Sequence, residues 1–209
     1  MSRRGHPWFA RVYERASVAM DAAGGFAHRR ALVAGLAGRV VEIGAGNGRM
    51  FVHYPASVTA VVAVEPEPRL RASALAAARD APVPIEVVEG VAESLPAADG
   101  TFDAAVASLV LCSVPHQPTA LAEIHRVLRP GGELRFFEHV RGDGALRRVQ
   151  RVADATLWPL LCAGCHTGRD TPAAITAAGF EITELSRFRF PPTGPTMPAA
   201  PHVLGRAAR

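Results

Sequence analysis

Val40-Val41-Glu42-Ile43-Gly44-Ala45-Gly46-Asn47-Gly48 is the stretch on which the reading of this chain turns. A short β-branched run ends in an acidic residue and enters alternating glycines, so a buried strand passes directly into a tight bend. Glycine permits the bend and removes the Cβ that would keep a ligand off the backbone. In open α/β sheets the ligand sits at the carboxyl ends of the strands, where strand order reverses. The spacing discriminates between ligands. A dinucleotide loop is spaced G-x-G-x-x-G, with the pyrophosphate on a helix N-terminus. Here the third glycine falls one residue early and Arg49 takes its place. The bend suits a nucleoside with no phosphate to cradle, and Glu42 suits an ammonium group on such a ligand.

Outward from the bend, strand and helix patterns alternate. The pattern predicts strands at 39–43, 59–64, 85–88, 103–108 and 132–138, with helices at 48–54, 67–79 and 117–128. Arg129-Pro130-Gly131-Gly132 ends the last of these helices. Upstream, helical spacing predicts a helix over 8–21 that stops at Gly24-Gly25, then a second from Phe26 to about Leu36. Downstream, a helix after residue 144 carries Leu146, Val149, Val152, Ala153 and Leu157. Another opens at Asp170-Thr171-Pro172, and strands follow at about 180–189 and 201–206. The alternation implies an α/β fold, a doubly wound, seven-stranded, mostly parallel sheet with helices on both faces. It forms one domain over 1–209, with N-terminal helices in 1–38, a ligand-binding core in 39–140 and acceptor-side elements in 141–209. Glu65 ends the second strand 21 residues after Gly44, an offset at which a carboxylate accepts ribose hydroxyls. Pro66 then offers a flat apolar face to a base.

Composition bounds the function classes. Charged residues are 20% and hydrophobic residues 49% of the 209, which fits a folded globular chain and excludes a disordered one. The net charge is +4 with no lysine, and the arginines are spread along the chain. A nucleic-acid partner would need them clustered. Arg29-Arg30 and Arg147-Arg148-Arg151 are the densest groups and read as solvated helix faces. The three cysteines, Cys112, Cys162 and Cys165, are an odd count, and the basic start Met1–Pro7 leads into a segment broken by Arg11, Glu14 and Arg15. With no run of roughly 18 apolar residues, neither a leader nor a membrane span is expected, and the chain reads as cytoplasmic.

These residues together resemble the class I S-adenosylmethionine-dependent methyltransferases. Glu42 to Gly48 is similar to the family's first motif and Glu65 to its ribose-binding acid. Glu93-Ser94-Leu95-Pro96 with Thr101-Phe102-Asp103 resembles the approach to its fourth strand, and Leu128 to Gly132 the approach to its fifth. A narrower likeness, to the thiol S-methyltransferase branch, rests on Leu109–Val114, Phe137-Glu138-His139-Val140, Tyr54-Pro55, Gly164-Cys165, Thr167-Gly168-Arg169 and Pro201-His202-Val203. The animal members carry an N-terminal apolar anchor, which is not expected here. The resemblance implies S-adenosylmethionine as cofactor and a small-molecule methyl acceptor, first choice an alkyl thiol. The alternative is O-, N- or C-methylation of a quinone, phospholipid or secondary metabolite. It implies cofactor contacts at Glu42, Gly44, Ala45, Gly46, Gly48, Glu65, Pro66, Ala92, Glu93 and Ser108. Where relatives often place an aspartate this chain has Val91, so the adenine amine would turn to Glu93, a backbone carbonyl or water. A nicotinamide oxidoreductase and a cofactor-holding module without turnover remain as readings from other classes.

Methyl transfer from a sulfonium is an in-line displacement, helped chiefly by alignment. A base is needed only where the acceptor must lose a proton. His116, after the fourth strand, and His139, at the end of the fifth, are the candidates, since histidine titrates in the useful range. Glu138 is expected to order the adjoining loop. The acceptor pocket is expected from the N-terminal helices, segment 141–169 and the stiff loop 190–200, with Trp8, Phe9, Tyr13 and Trp158 as aromatic walls and Cys112 as lining. Cys162-Ala163-Gly164-Cys165-His166 has the c-type haem spacing, and those residues as a zinc set lack a fourth ligand. A helix end with one buried thiol is the expectation there, with no metal.

Overall fold

β1 (Gly38–Ile43) sits near the middle of a seven-stranded sheet in the order β3-β2-β1-β4-β5-β7-β6. The computed structural model describes residues 7–194 and 196–209. Met1–His6 and Pro195, which the sequence reading used, lie outside the described residues. From β1 the chain steps outward through β2 (Val58–Val64) and β3 (Ile85–Val88). It then crosses back to β4 (Phe102–Ser108) on the other side of β1 and continues to β5 (Leu128–His139). All these pairings are parallel. β7 (Pro201–Ala208) runs antiparallel between β5 and β6 (Glu181–Arg189). The doubly wound, mostly parallel sheet is the one expected, and its strand order reverses between β1 and β4.

Period-two alternation assigns each strand residue to one of two cores. Val41 and Ile43 of β1, Ala105 and Ala107 of β4, and Leu134 and Phe136 of β5 pack under α4 (Gln117–Val127) and α7 (Thr171–Ala177). Val40, Ala104, Val106 and Phe137 face the opposite side, under α2 (Phe26–Val33) and α3 (Pro68–Ala77). Each fully buried Leu, Ile or Phe contributes about 1.5–3 kcal/mol of transfer free energy. A sheet covered on both faces is what its near-continuous apolar strands require.

Local chemistry explains where elements start and stop, and where the expectations fail. α1 (Pro7–Met20) does not end at Gly24-Gly25. It passes through a π-helical turn, Asp21–Gly25, with Gly24 at φ 113°, straight into α2. α2 ends at Val33 rather than near Leu36, because Ala34 is extended and Gly35 has φ 74°. Buried Arg135 donates to the carbonyls of Leu32 and Ala34 and so satisfies that helix end. The helix expected over 48–54 is a single 3-10 turn, Phe51–His53. Gly44, Gly46 and Gly48 all have positive φ, so the chain is still turning where a helix would begin. Arg129–Gly132 belongs to β5 instead of closing α4. The register jumps there, from Phe102 opposite Leu128 to Ala104 opposite Glu133. α5 (Gly144–Asp154) inverts its expected face: Val149 and Val152 are exposed, as is Leu157 beyond it, and Gln150 is fully buried. The Gln150 amide bonds Gly142 N–H and the carbonyls of Val140, Thr167 and Pro198, which need a polar partner more than that face needs apolar cover. α6 (Trp158–Leu161) is one turn. Among the described residues no helix is long and apolar enough to cross a membrane.

Gly205 of β7 is the tightest packing point in the antiparallel half. A Cβ there would lie 2.6 Å from the Glu184 carbonyl oxygen and 2.6 Å from the Phe136 ring. Gly205→Val should cost about 1–3 kcal/mol and, for a domain of this size, lower the melting temperature by roughly 2–12 °C. An unchanged thermal unfolding curve would show that the β6–β7 edge yields at no cost.

Candidate active site

The reversal of strand order between β1 and β4 leaves a crevice at their carboxyl ends, and a cavity of about 540 Å³ lies there. That volume suits a ligand of nucleoside size or somewhat larger. Ile43, Gly44 and Gly46 from the β1 bend form its floor, with Glu65, Pro66, Glu67 and Leu70 on one side. Gly90, Val91, Ala92 and Glu93, from the turn after β3, and Ser108, Leu109 and Val110 at the end of β4 continue the wall. Phe9 and Tyr13 of α1 close one side, and Ser113, Val114, Pro115, Ala163, Gly164 and His166 line the rest.

Glu65 is held before any ligand arrives. Its two carboxylate oxygens accept N–H bonds from Gly46 (2.7 Å) and Glu67 (2.9 Å). Burial pushes its pKa up, while those N–H bonds pull it down. Each oxygen keeps a lone pair for a hydroxyl donor. The bend itself tolerates no side chain: a Cβ on Gly44 would meet Val110 at 2.5 Å, and one on Gly46 would meet the Tyr13 ring at 3.1 Å. Asn47 Nδ2 donates to Ser17 Oγ at 3.0 Å and fastens α1 over the bend.

Arg29 is the residue that sequence patterning misread. It is 3% exposed and no part of a solvated face. Its Nε donates to Asp21 Oδ1 at 2.8 Å, its Nη1 approaches Ser108 Oγ at 3.5 Å, and its Nη2 is buried with no partner. Asp21 also pairs with Arg49 at 2.6 Å. A spare guanidinium nitrogen behind Ser108 matches an anionic group such as an amino-acid carboxylate. Only the π turn brings Arg29 there, so no sequence period would have marked it.

Gly44, Gly46, Glu65, Pro66, Ala92, Glu93 and Ser108 all line the cavity. Glu42, Ala45 and Gly48 do not. Glu42 is 2% exposed and accepts the Tyr54 hydroxyl at 2.8 Å, and burial pushes its pKa to about 8. Ala45 N–H donates to the Val64 carbonyl, and Gly48 makes room for Ala77 and Phe51. Neither histidine candidate reaches the cavity wall. His116 is exposed, stands at the N-cap position of α4 without a side-chain bond to its backbone, and bonds Thr119 Oγ1 through Nδ1 at 2.6 Å. His139 is buried against Cys165 Sγ, 3.1 Å from its Nε2. Cys112 is fully buried behind the wall instead of lining it. Trp8 is exposed, Trp158 donates to Cys165 Sγ, and none of the described residues of loop 190–200 lines the cavity.

His166, which the sequence reading did not single out as a base, is the histidine found in the cavity wall. It lines the cavity, its N–H donates to the Cys112 carbonyl, and its Nδ1 lies 2.8 Å from the Gly164 carbonyl. The Gly164 carbonyl only accepts, whereas Arg169 Nη2, 3.4 Å from the same Nδ1, only donates; the shorter carbonyl contact favours a proton on Nδ1, which in the neutral ring leaves Nε2 its lone pair. The segment is anchored by Asp154, which accepts from Thr167 and Gly168 N–H, and by Arg169, which donates to the Leu111 carbonyl. Glu138 orders the facing loop, accepting from the N–H groups of Val110, Leu111 and Cys112. The haem-like spacing of Cys162, Cys165 and His166 hid His166, whose signal was its place on the turn after α6.

A family model described as a methyltransferase domain matches residues 41–136. The chain is 35% identical over 176 residues to thiol S-methyltransferase TMT1B of Rattus norvegicus, covering 81% of this chain and 70% of that protein. It is 33% identical to human thiol S-methyltransferase TMT1A over 175 residues, with the same coverage. The chain belongs to the class I S-adenosylmethionine-dependent methyltransferases. A Thermotoga maritima S-adenosylmethionine-dependent methyltransferase, described as a possible histamine N-methyltransferase, superposes with a TM-score of 0.69 at 24% identity, over 96% of this chain and 97% of its own. That likeness is one of fold. The cavity of this methyltransferase fits its cofactor: Gly44 and Gly46 without Cβ atoms, a carboxylate with free lone pairs and, behind Ser108, a buried guanidinium nitrogen without a hydrogen-bond partner answer a nucleoside with an amino-acid tail.

Glu42 makes the stability of this methyltransferase pH-dependent. Between the unfolded value of 4.5 and about 8, the folded chain holds a proton that the unfolded chain has released. The unfolded state then binds fewer protons, so stability falls as pH rises through that window. Glu42→Gln retains an acceptor for Tyr54 and removes the titration. Denaturant melts should show the variant gaining on the parent between pH 5 and pH 8. A stability difference independent of pH would place the proton elsewhere.

Proposed function

We propose that this methyltransferase transfers its methyl group to the sulfur of a small, weakly polar thiol. The carrying observation is His166 in a cavity whose wall also includes Phe9, Tyr13, Ser113, Val114, Pro115, Ala163 and Gly164. Its support is the likeness to thiol S-methyltransferases across four-fifths of the chain. S-adenosylmethionine, when bound, supplies an electrophilic methyl carbon on a sulfonium sulfur.

The chain's own residues hold, orient and shield. Glu65 accepts the ribose hydroxyls while the Gly46 and Glu67 N–H groups keep its carboxylate in place. Pro66, Leu70, Val91 and Ala92 give an apolar slot for the base, and Glu93 accepts from its amine in place of the aspartate that Val91 replaces. Arg29 Nη2 and Ser108 take the carboxylate of the amino-acid tail. The bend from Gly44 to Gly46 lets the backbone lie against the ligand. The helices within 1–38 cover the acceptor, the core 39–140 holds the cofactor, and 141–209 supplies the wall carrying His166. Three unpaired cysteines support a reducing compartment, the cytoplasm.

A thiol of pKa near 8.5 is about 3% ionised at pH 7. A base that removes its proton can therefore add at most roughly 30-fold at that pH. Nε2 of His166 is placed to take that proton while Nδ1 stays on the Gly164 carbonyl. A panel of alkyl thiols, catechols, quinols and amines with methyl-labelled cofactor tests the acceptor class. Labelled thioether is the expected product, and label only in ether, amine or ring carbon would end the thiol reading.

Two variants test the roles. Glu65→Ala should weaken S-adenosylhomocysteine binding by roughly 100-fold, the loss of two charge-assisted hydrogen bonds at about 1.5 kcal/mol each. Calorimetry would read it, and near-parental affinity would displace the ribose from that carboxylate. His166→Ala should lower kcat/KM for the thiol by about 10- to 30-fold at pH 7 and hardly at all above about pH 9, where the thiolate forms unaided. A deficit that stays constant with pH would make His166 a wall residue and no base.

A further inference from the structure

Cys112, His139 and Cys165 converge behind the cavity wall, and methyl transfer uses none of them. Cys112 lies just beyond β4, His139 ends β5, and Cys165 sits on the turn after α6. They are 1%, 8% and 6% exposed, and one ligating atom of each lies within 4.8 Å of the other two. His139 Nε2 stands 3.1 Å from Cys165 Sγ, and its Nδ1 is buried with no hydrogen-bond partner. The His139 ring also packs edge-on against His202, but its only hydrogen-bond partner is a thiol, and burial of an imidazole so poorly satisfied calls for an explanation.

We propose that Cys112, His139 and Cys165 bind one zinc(II) ion. Zinc–sulfur distances of about 2.3 Å and zinc–nitrogen distances of about 2.05 Å put tetrahedral donor atoms about 3.6–3.8 Å apart. In the cluster the Nε2–Sγ distance is 3.1 Å and no pair of donors exceeds 4.8 Å, so the three lie within about 1 Å of that tetrahedral spacing. Soft thiolates with one imidazole suit zinc or copper(I), and charge decides between them. Two thiolates and a neutral imidazole around zinc(II) leave a neutral buried unit, whereas copper(I) would leave a net negative one beside the buried Glu138 carboxylate. Trp158 Nε1 donates to Cys165 Sγ at 3.3 Å, a bond that strengthens when the sulfur becomes a thiolate. No fourth side-chain ligand is present among the described residues, so one tetrahedral position is left to water.

Binding breaks the two S–H bonds, releases both protons to solvent and forms two Zn–S bonds and one Zn–N bond, with no change of oxidation state. The ion would join the end of β4, the end of β5 and the turn that carries His166. It would thereby fix the wall on which Gly164 and His166 stand. Cys162 lies outside the cluster and His166 faces the cavity, so this is not the set suggested by the Cys-x-x-Cys-His spacing.

The test titrates the reduced full chain with zinc(II), and with cobalt(II) as the spectroscopic probe. Expected are one equivalent bound, intense tetrahedral cobalt bands with a thiolate charge-transfer band, altered Trp158 fluorescence and about two protons released per ion. Zinc should shield two of the three thiols from alkylation. Cys112→Ser and Cys165→Ser, checked for fold by circular dichroism, should each weaken zinc by about 100-fold or more, and Cys162→Ser should leave it unchanged. No saturable binding to the reduced unaltered chain would overturn the site. Unweakened binding in either ligand variant, loss in Cys162→Ser, or a Cys112–Cys165 disulfide in the freshly isolated protein would do the same. None of these readouts depends on which acceptor is methylated.

Discussion

The backbone N–H of Gly46 reaches across from the β1 bend to the carboxylate of Glu65 at the end of β2. The cavity exists in its present form because that bond can be made. It needs three glycines in left-handed backbone conformations within five residues, at φ 66°, 58° and 78°. It also needs Val64 and Glu65 delivered level with Gly44, which the parallel register of β1 and β2 provides. A desolvated carboxylate is unstable alone, and here the loop it serves supplies the donors that keep it ionisable. Ligand site and strand connection thus stabilise one another.

The same economy recurs around the cavity. Glu138 is fully buried and holds the loop after β4 through three N–H bonds. Asp154 does the same for the turn at Thr167 and Gly168, and Gln150 satisfies backbone groups from three segments. Polar side chains from the rigid sheet and from α5 fix the irregular segments that form the wall. The cavity is therefore largely preorganised, and preorganisation is the main contribution an enzyme can make to an in-line displacement. Arg29 is the exception. Its paired Nε fixes the guanidinium on Asp21 and its Nη2 is left without a hydrogen-bond partner behind Ser108.

Histidine placement shows how far sequence position can mislead. His116 follows β4 and His139 ends β5, yet one stands exposed at the first turn of α4 and the other turns into the protein. Strand alternation sends Glu138 and His139 to opposite faces, and neither face is the cavity. His166 reaches it from a turn 52 residues after Val114, held by a local contact with the Gly164 carbonyl and by a bond to the Cys112 carbonyl that only the fold brings near.

What the chain's linear order settles is whatever rests on short-range periodicity and on glycine. Six of the seven strands fall within two residues of their predicted bounds, because alternation and β-branched runs report directly on a two-faced sheet. β5 alone begins four residues early. The bend at Gly44–Gly48 and the carboxylate of Glu65 were legible for the same reason, since close backbone approach and strand-end position are local properties. Tertiary structure alone decided the rest. It shortened the helix after the bend to one turn, buried Arg29 through a π turn, exposed the apolar face of α5 in favour of Gln150, and drew Cys112, His139 and Cys165 together from three elements. Each of these outcomes depends on which buried polar group finds a partner, and partners distant in the chain leave no periodic mark upon it.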